Sequence, residues 1–384
     1  MEEKLSVVIP VYNSELYIRR ALDSVLGQTC PVHEVVCVDD GSTDGSLEIL
    51  KEYAKRDKRV KIIQKENGGS TSARKAGAAH ATGAYLAFVD SDDFVEPLMY
   101  EEMLALAVRC DADLVTSGLI RDYGNSCTEN NEEIAKGIYT EHRIKTEILS
   151  SLINTSSFYK TCISPSLCNK IFKTAQFVPL QEEVDDRIIV GDDDAVIYPY
   201  LFQSKTIAVS GKNYYHYCIR EHGSNMSLKK EDDYESYLLL FEHLEKEFSA
   251  SDLPGLCLKK QFQLLKTYFL MLRFPSQVLS YHEEVLYPFG NIKKTDKILL
   301  YGAGKFGVVM KSYLEIQGFT IAGWADKSAN RQEVIRPDEI HNIDFDVVII
   351  TVLIADAVSH IREDLQKTGI PEEKILYADA RMIG

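Results

Sequence analysis

The first hundred residues alternate between two hydrophobic patterns. Short runs rich in valine and isoleucine, at Leu5–Val11 and at residues 35–38, 60–63 and 85–89, read as strands of a buried parallel sheet. Between them apolar residues recur at helical spacing. Leu16, Ile18, Ala21, Leu22, Val25 and Leu26 form one stripe, and Leu47, Leu50, Tyr53 and Ala54 form another. An alanine-rich helix follows Ser70, Pro97 suits the start of a further helix, and residues 114–115 continue the sheet. Strands that alternate with helices pair in parallel through right-handed crossovers, so their carboxyl ends line one rim. Residues 10–13, Asp39 and Asp40, Asn67 and Gly68, and residues 90–93 all fall on that rim.

Beyond residue 228 the pattern changes. Residues 231–274 read as helical, with Leu238, Phe241, Leu244 and Phe248 on one face. From residue 256 to 274 there is no acid, and Lys259, Lys266 and Arg273, spaced by seven, share one side opposite Leu264, Leu265, Phe269 and Leu272. Such a helix either rests on an anionic membrane surface or packs on a neighbour with its lysines in water. A second alternating unit then begins, with strands at Lys297–Tyr301, 319–324 and 347–352. The expected architecture is α/β: a mostly parallel sheet flanked by helices over 1–228, a helical connection over 229–292, and a small Rossmann-like unit over 293–384.

Composition narrows the function classes. A chain of 384 residues exceeds one comfortable core. A net charge of −15 argues against a nucleic-acid partner, although a metal can still meet a nucleotide's phosphates locally. The eight cysteines lack zinc-ligand spacing and read as free thiols of a cytoplasmic protein. No leader peptide is read at the start, and no apolar stretch is long enough to span a bilayer.

The candidate chemistry lies in three acidic clusters. Asp39 to Asp44 reads Asp-Asp-Gly-Ser-Thr-Asp, which is a turn and helix cap, a carboxylate facing a base or ribose, or both at once, with Asp44 capping and Asp40 in the crevice. Asp90-Ser91-Asp92 ends a strand, where alternate residues share a face and two carboxylates reach one cation. Mg²⁺ or Mn²⁺ held by one or two carboxylates and a diphosphate suits that arrangement. Asp192, Asp193 and Asp194 follow Gly191 and precede an apolar stretch. They serve either a helix N-terminus or, through one member, as general base toward a hydroxyl. In the second unit Gly302, Gly304 and Gly307 stand between a strand and a helix, with Asp326 about twenty residues later. That is the spacing of a nucleotide or NAD(P) site, or simply of a tight turn with close helix packing.

The blocks at 7–13 (Val-Val-Ile-Pro-Val-Tyr-Asn), 21–29, 38–46 (Val-Asp-Asp-Gly-Ser-Thr-Asp-Gly-Ser), 67–74 and 88–93 resemble family 2 glycosyltransferases in order and spacing. The likeness continues more loosely through Asn169-Lys170-Ile171-Phe172, Gly191-Asp192-Asp193 and Tyr215-His216-Tyr217 to Ser224. The resemblance implies a GT-A fold, a nucleotide-diphosphate sugar donor such as a UDP-sugar, a divalent metal, and inversion at the anomeric carbon. By position it places Pro10, Tyr12, Asp40, Asn67, Arg74 and Asp90 around the donor and Asp92 on the metal. Asp193 takes the place of the catalytic base. Asp192 replaces the usual Glu, which leaves the base open between Asp192 and Asp193, and Lys75 replaces the usual Asn. His222, in the loop that closes the acceptor side, either assists metal or phosphate binding or is solvated. The expected acceptor is a glycan or lipid-linked glycan of a surface polysaccharide, reached from the inner face of the membrane. Two other readings stand beside this one. The chain is an NAD-linked oxidoreductase or epimerase acting through its second unit, or a non-catalytic sugar-nucleotide binder.

Overall fold

The computed structural model describes residues 4–153, 161–219, 233–250, 258–273, 292–328, 332–352 and 355–377. His222 lies outside them. The chain divides into two compact units, one of Met1–Ser150 with Cys162–Leu256, the other of Ser151–Thr161 with Cys257–Gly384. Within the region expected to connect two domains, helix Asp233–Ala250 falls in the first unit and helix Leu258–Arg273 in the second.

The first unit is built on ten strands: β1 (Leu5–Val11), β2 (Glu34–Asp39), β3 (Val60–Gln64), β4 (Tyr85–Phe88), β5 (Phe94–Val95), β6 (Leu114–Asp122), β7 (Cys127–Asn130), β8 (Gly137–Thr140), β9 (Lys170–Lys173) and β10 (Thr206–Cys218). They run in the order β3-β2-β1-β4-β9-β6-β10-β5, with β7 on β6 and β8 on β10. β1 to β4 pair in parallel, as do β6 and β10, while β9 runs antiparallel between β4 and β6. The sheet is mostly parallel and flanked by helices, as expected, but β9 and the long β10 were not anticipated from the pattern.

Burial explains β1, β2 and β4, whereas β3, at the sheet edge, buries only Val60. Every residue of β2 is buried and β1 is buried at all but Pro10, because helices cover both faces. Helix Ile18–Leu26 turns Ile18, Ala21, Leu22 and Val25 inward. Leu16, expected on that stripe, precedes the helix and is 79% exposed. Helix Gly69–His80 lies so close to β1 that a Cβ on Gly77 would stand 2.3 Å from Val8 Cγ1. This approach seats Arg74, about one turn earlier, near the carboxyl rim of the sheet.

In the second unit β11 (Lys297–Tyr301), β12 (Thr320–Ala325), β13 (Val347–Ile350) and β14 (Ile375–Tyr377) form a wholly parallel sheet in the order β12-β11-β13-β14. Leu299, Tyr301, Val348 and Ile350 pack with Val358, Ile361 and Leu365 of helix Ala355–Lys367 to form its core. Helix Leu258–Arg273 buries Leu258, Phe262, Leu265, Phe269 and Leu270 and leaves Lys259 exposed. Among the described residues, no helix is long and apolar enough to cross a membrane.

Candidate active site

The ends of β1, β2 and β4 are tied together by short polar side chains. Asn13, at φ 49°, donates its N–H to Ser42 Oγ at 3.1 Å and accepts the Thr43 N–H through Oδ1 at 2.8 Å. Ser14 donates its N–H to Ser46 Oγ at 2.7 Å, and its hydroxyl meets that of Ser91 at 2.6 Å. Asp44 accepts the Ser46 N–H at 2.9 Å and the Glu15 N–H at 3.0 Å, so it braces the loop, while Gly45 holds the N-cap position of helix Ser46–Arg56. On the same rim Tyr12 is 45% exposed, Asn67 is exposed and Pro10 is half-buried.

Asp40 is buried and heavily engaged. Its carboxylate accepts the Gly68 N–H at 3.0 Å, the Gly69 N–H at 2.8 Å and Lys65 Nζ at 2.6 Å. It therefore holds the amino end of helix Gly69–His80, where a negative charge is favoured by unpaired amides. A nucleoside contact through Asp40 has to share a carboxylate already used in this way.

Arg74 is the centre of the arrangement. Its side chain is 8% exposed; Nη1 reaches Asp192 Oδ2 at 2.5 Å and Asp193 Oδ1 at 2.8 Å, and Nη2 reaches Asp90 Oδ1 at 3.1 Å. Three carboxylates from two distant parts of the sequence thus converge on one buried guanidinium. Burial disfavours the cation, but Asp193, Asp192 and Asp90 together hold Arg74 far above its ordinary pKa. Asp192 also accepts the Ser70 hydroxyl at 2.8 Å, and Asp193 Oδ2 accepts the Leu167 N–H at 3.2 Å. Neither donor was anticipated.

The acids open helix Asp192–Gln203 behind Gly191, which adopts φ 77° and whose Cβ, if present, would lie 2.5 Å from Leu240 Cδ2. The positive φ favours glycine there, while the Leu240 methyl, at the end of its side chain, could give way to a Cβ. Burial pushes the Asp193 carboxyl up to about 7, with Arg74 opposing and the neighbouring Asp192 and Asp90 reinforcing the rise. Asp194 is pushed up to about 8 by burial and by Asp193. A carboxyl titrating near neutrality is suited to taking a proton from a hydroxyl.

At the end of β4 the acids divide in role. Asp93 is buried, accepts the Tyr215 hydroxyl at 2.7 Å and the Cys218 N–H at 2.8 Å, and so joins this strand end to β10. Burial and the charges of Asp90 and Asp92 raise its pKa well above the ordinary value. Asp92 is half-buried, and its carbonyl accepts Arg20 Nη2 at 2.8 Å. Among the described residues, no group of three or more His, Cys, Asp or Glu has the geometry to hold a metal ion. A cation carried by a diphosphate needs only one or two carboxylates. Lys75 donates to the Val184 carbonyl at 2.6 Å and pairs with Asp186 at 2.6 Å, bracing the segment before the acidic helix.

In the second unit Gly302 adopts φ 117°, and a Cβ on Gly307 would stand 2.0 Å from the Gly302 carbonyl, whereas one on Gly304 would meet nothing. Asp326 accepts the Ala303 N–H at 2.6 Å and the Ser328 N–H at 2.7 Å. Its carboxylate braces the glycine loop.

Residues 6–166 match the family model described as glycosyl transferase family 2, and residues 294–376 match one described as C2185-like, N-terminal. Glycosyltransferase GlyA of Streptococcus pneumoniae serotype 4 is 31% identical over 228 residues, 58% of this chain and 31% of its own length. Poly(ribitol-phosphate) beta-glucosyltransferase of Bacillus spizizenii is 29% identical over 254 residues, 65% of this chain and 37% of its own. The chain thus spans about a third of the length of these curated relatives. The crystal structure of S. aureus TarS 1–349 superposes with a TM-score of 0.54 at 23% identity, over 73% of this chain and 76% of that one, and shares its GT-A fold. On these matches, the chain carries a glycosyl transferase family 2 domain over residues 6–166.

Proposed function

We propose that the first unit transfers a sugar from a nucleotide-diphosphate donor, a UDP-sugar, to a hydroxyl of a surface polysaccharide or its lipid-linked precursor, with inversion. The observation that carries this reading is the gathering of Asp90, Asp192 and Asp193 around Arg74 at one sheet rim. The donor class is that with which TarS has been crystallised, as UDP and UDP-GlcNAc complexes. The acceptor class follows the name of the poly(ribitol-phosphate) glucosyltransferase relative.

In the reaction the acceptor oxygen forms a bond to the sugar C1 while the C1–oxygen bond to the diphosphate breaks on the opposite face. The departing diphosphate keeps the electron pair. Asp193 takes the acceptor's proton, and Arg74 and the Leu167 N–H hold its two oxygens in place. Asp192 and Arg74 set the charge around it. A divalent metal on Asp92, when bound, supplies charge neutralisation for the leaving diphosphate. Tyr12, Asn67 and Asp90 line the donor side of the same rim.

The test is NDP release from a panel of nucleotide sugars, with Mn²⁺ or Mg²⁺ and with polyol or glycan acceptors. Asp193→Asn is expected to lower kcat by about 10²–10⁴-fold. Donor affinity, followed by calorimetry, is expected to stay within a few-fold. A variant that turns over within threefold of the parent removes Asp193 from the reaction, and the absence of NDP release from every donor removes the transfer itself.

A further inference from the structure

Within electrostatic reach of Asp193 lies a buried ion pair that the proposed chemistry does not use. Lys170, on β9, is fully buried, and its Nζ stands 3.6 Å from Oε1 of Glu132, whose side chain is 4% exposed. A buried pair of this kind is weak evidence for stability, because desolvation offsets its attraction. Its hydrogen bonds point instead to a loop. Lys170 Nζ donates to the Ser166 carbonyl at 2.7 Å and to Asn169 Oδ1 at 2.8 Å. Glu132 Oε2 accepts the Ser164 N–H at 2.6 Å, while its Oε1 accepts the Thr116 hydroxyl at 2.5 Å. Asn169 anchors the far end: its carbonyl accepts the Ser117 N–H at 3.0 Å, and its Nδ2 donates to the Ser117 carbonyl.

The two charges therefore grip residues 164 and 166 from either side, and residue 167 is the next in line. Leu167 presents its N–H to Asp193 Oδ2 at 3.2 Å while Arg74 takes Oδ1 at 2.8 Å. We propose that Lys170 and Glu132 are positioning residues for Asp193: they clamp the 164–168 loop so that its Leu167 amide fixes the orientation of that carboxylate. This rests on the reading of Asp193 as the base.

The groups facing Asp193 are Arg74 of helix Gly69–His80, Asp90 at the end of β4, Cys168 of the clamped loop, Lys170 of β9, and Asp192 and Asp194 of its own helix. The Leu167 N–H favours the charged carboxylate and so opposes the upward pull of burial. Loosening the loop removes that bond. The base form then appears at higher pH.

The double variant Lys170→Met with Glu132→Gln replaces both charges by uncharged groups of similar length and leaves no unpaired buried ion. Two readouts are expected to move. Hydrogen exchange followed by mass spectrometry should quicken in the peptide covering 164–168 of the full chain. The acid limb of the kcat profile should shift upward by about half a pH unit or more, with donor KM unchanged and kcat lowered about tenfold. If the double variant does not fold, Glu132→Gln alone, whose single amide oxygen can accept from only one of Ser164 and Thr116, should show the same two changes at reduced size. Unchanged exchange in that peptide, or a fall in kcat with no movement of the limb, overturns the proposal. The exchange result is independent of turnover, so an active Asp193→Asn protein would refute the base assignment without altering whether the clamp exists.

Discussion

Two sheet rims in this chain place acids beside a helix start, and they treat them in opposite ways. In the second unit Asp326 is met by two backbone N–H groups, whose hydrogen bonds outweigh burial and hold its carboxyl below the ordinary range. In the first unit Asp90, Asp192 and Asp193 share one guanidinium, Arg74 Nε has no partner among the described residues, and Asp193 rises to about 7. An acid satisfied by its own loop is adequately explained as structure. Crowded carboxylates held by one cation carry an electrostatic cost with no gain in packing, and such sites are where proton transfer and ligand binding are found. The contrast favours the first unit as the seat of the proposed chemistry.

The sharpest way to break the comparison is to remove the cation. Arg74→Met leaves three carboxylates facing one another in a largely buried setting, and losing one partner of such a network costs about 3–5 kcal/mol. The urea midpoint of the full chain at pH 8 should fall accordingly, and less at pH 5, where more of the acids are protonated. An unaltered midpoint at both pH values would mean that Arg74 does not hold the cluster.

A somewhat smaller effect is expected at Asp194, whose Oδ1 has no hydrogen-bond partner among the described residues. Its folded pKa, about 8, lies above the unfolded value of about 3.8. The native state therefore binds more protons than the unfolded chain between those limits, and stability falls as pH rises through the folded pKa. Asp194→Asn removes this loss, so the variant should gain on the parent by about 2–4 kcal/mol between pH 5 and pH 8. Parallel pH–stability curves for the two proteins would show that Asp194 does not titrate in this way.

How much of this was legible beforehand follows from which interactions are local. Apolar runs bounded by turn residues marked β1, β2 and β4, because each of these strands is buried on both faces and reads as an almost uninterrupted signal, while the edge strand β3 keeps only Val60 fully buried. The rim positions followed from the alternation alone. β9 did not emerge: four residues, Lys-Ile-Phe-Lys, carry too little pattern to separate strand from helix, and its antiparallel insertion between β4 and β6 is decided by tertiary pairing. At the candidate site the sequence pointed to the acids as residue types but not to their partners. Arg74 meets Asp192 across 118 positions, and Asp40 caps a helix that begins 29 residues later. Nothing local encodes either contact. The Leu167 N–H is invisible for a plainer reason, since a backbone amide has no letter of its own.

The glycines of the second rim supply the finest test of the comparison, because the start of one helix has an open N-cap position, Gly304, and a packed position, Gly307, in its first turn. A Cβ on Gly307 would stand 2.0 Å from the Gly302 carbonyl and 2.9 Å from Thr351 Oγ1, so the loop or the helix must shift. Gly307→Ala should therefore destabilise the second unit by about 1–3 kcal/mol, the range for overpacking a close contact. Gly304 has φ −70° and ψ −175°, a conformation open to any residue, and a Cβ there meets nothing within 4 Å. Gly304→Ala should leave stability within about 0.5 kcal/mol of the parent. Neither change should alter NDP release if the first unit alone carries the reaction. Loss of transfer in Gly304→Ala, with its unfolding curve unmoved, would show that the second rim takes part in catalysis and that a satisfied acid beside a glycine loop is not a sign of structure alone.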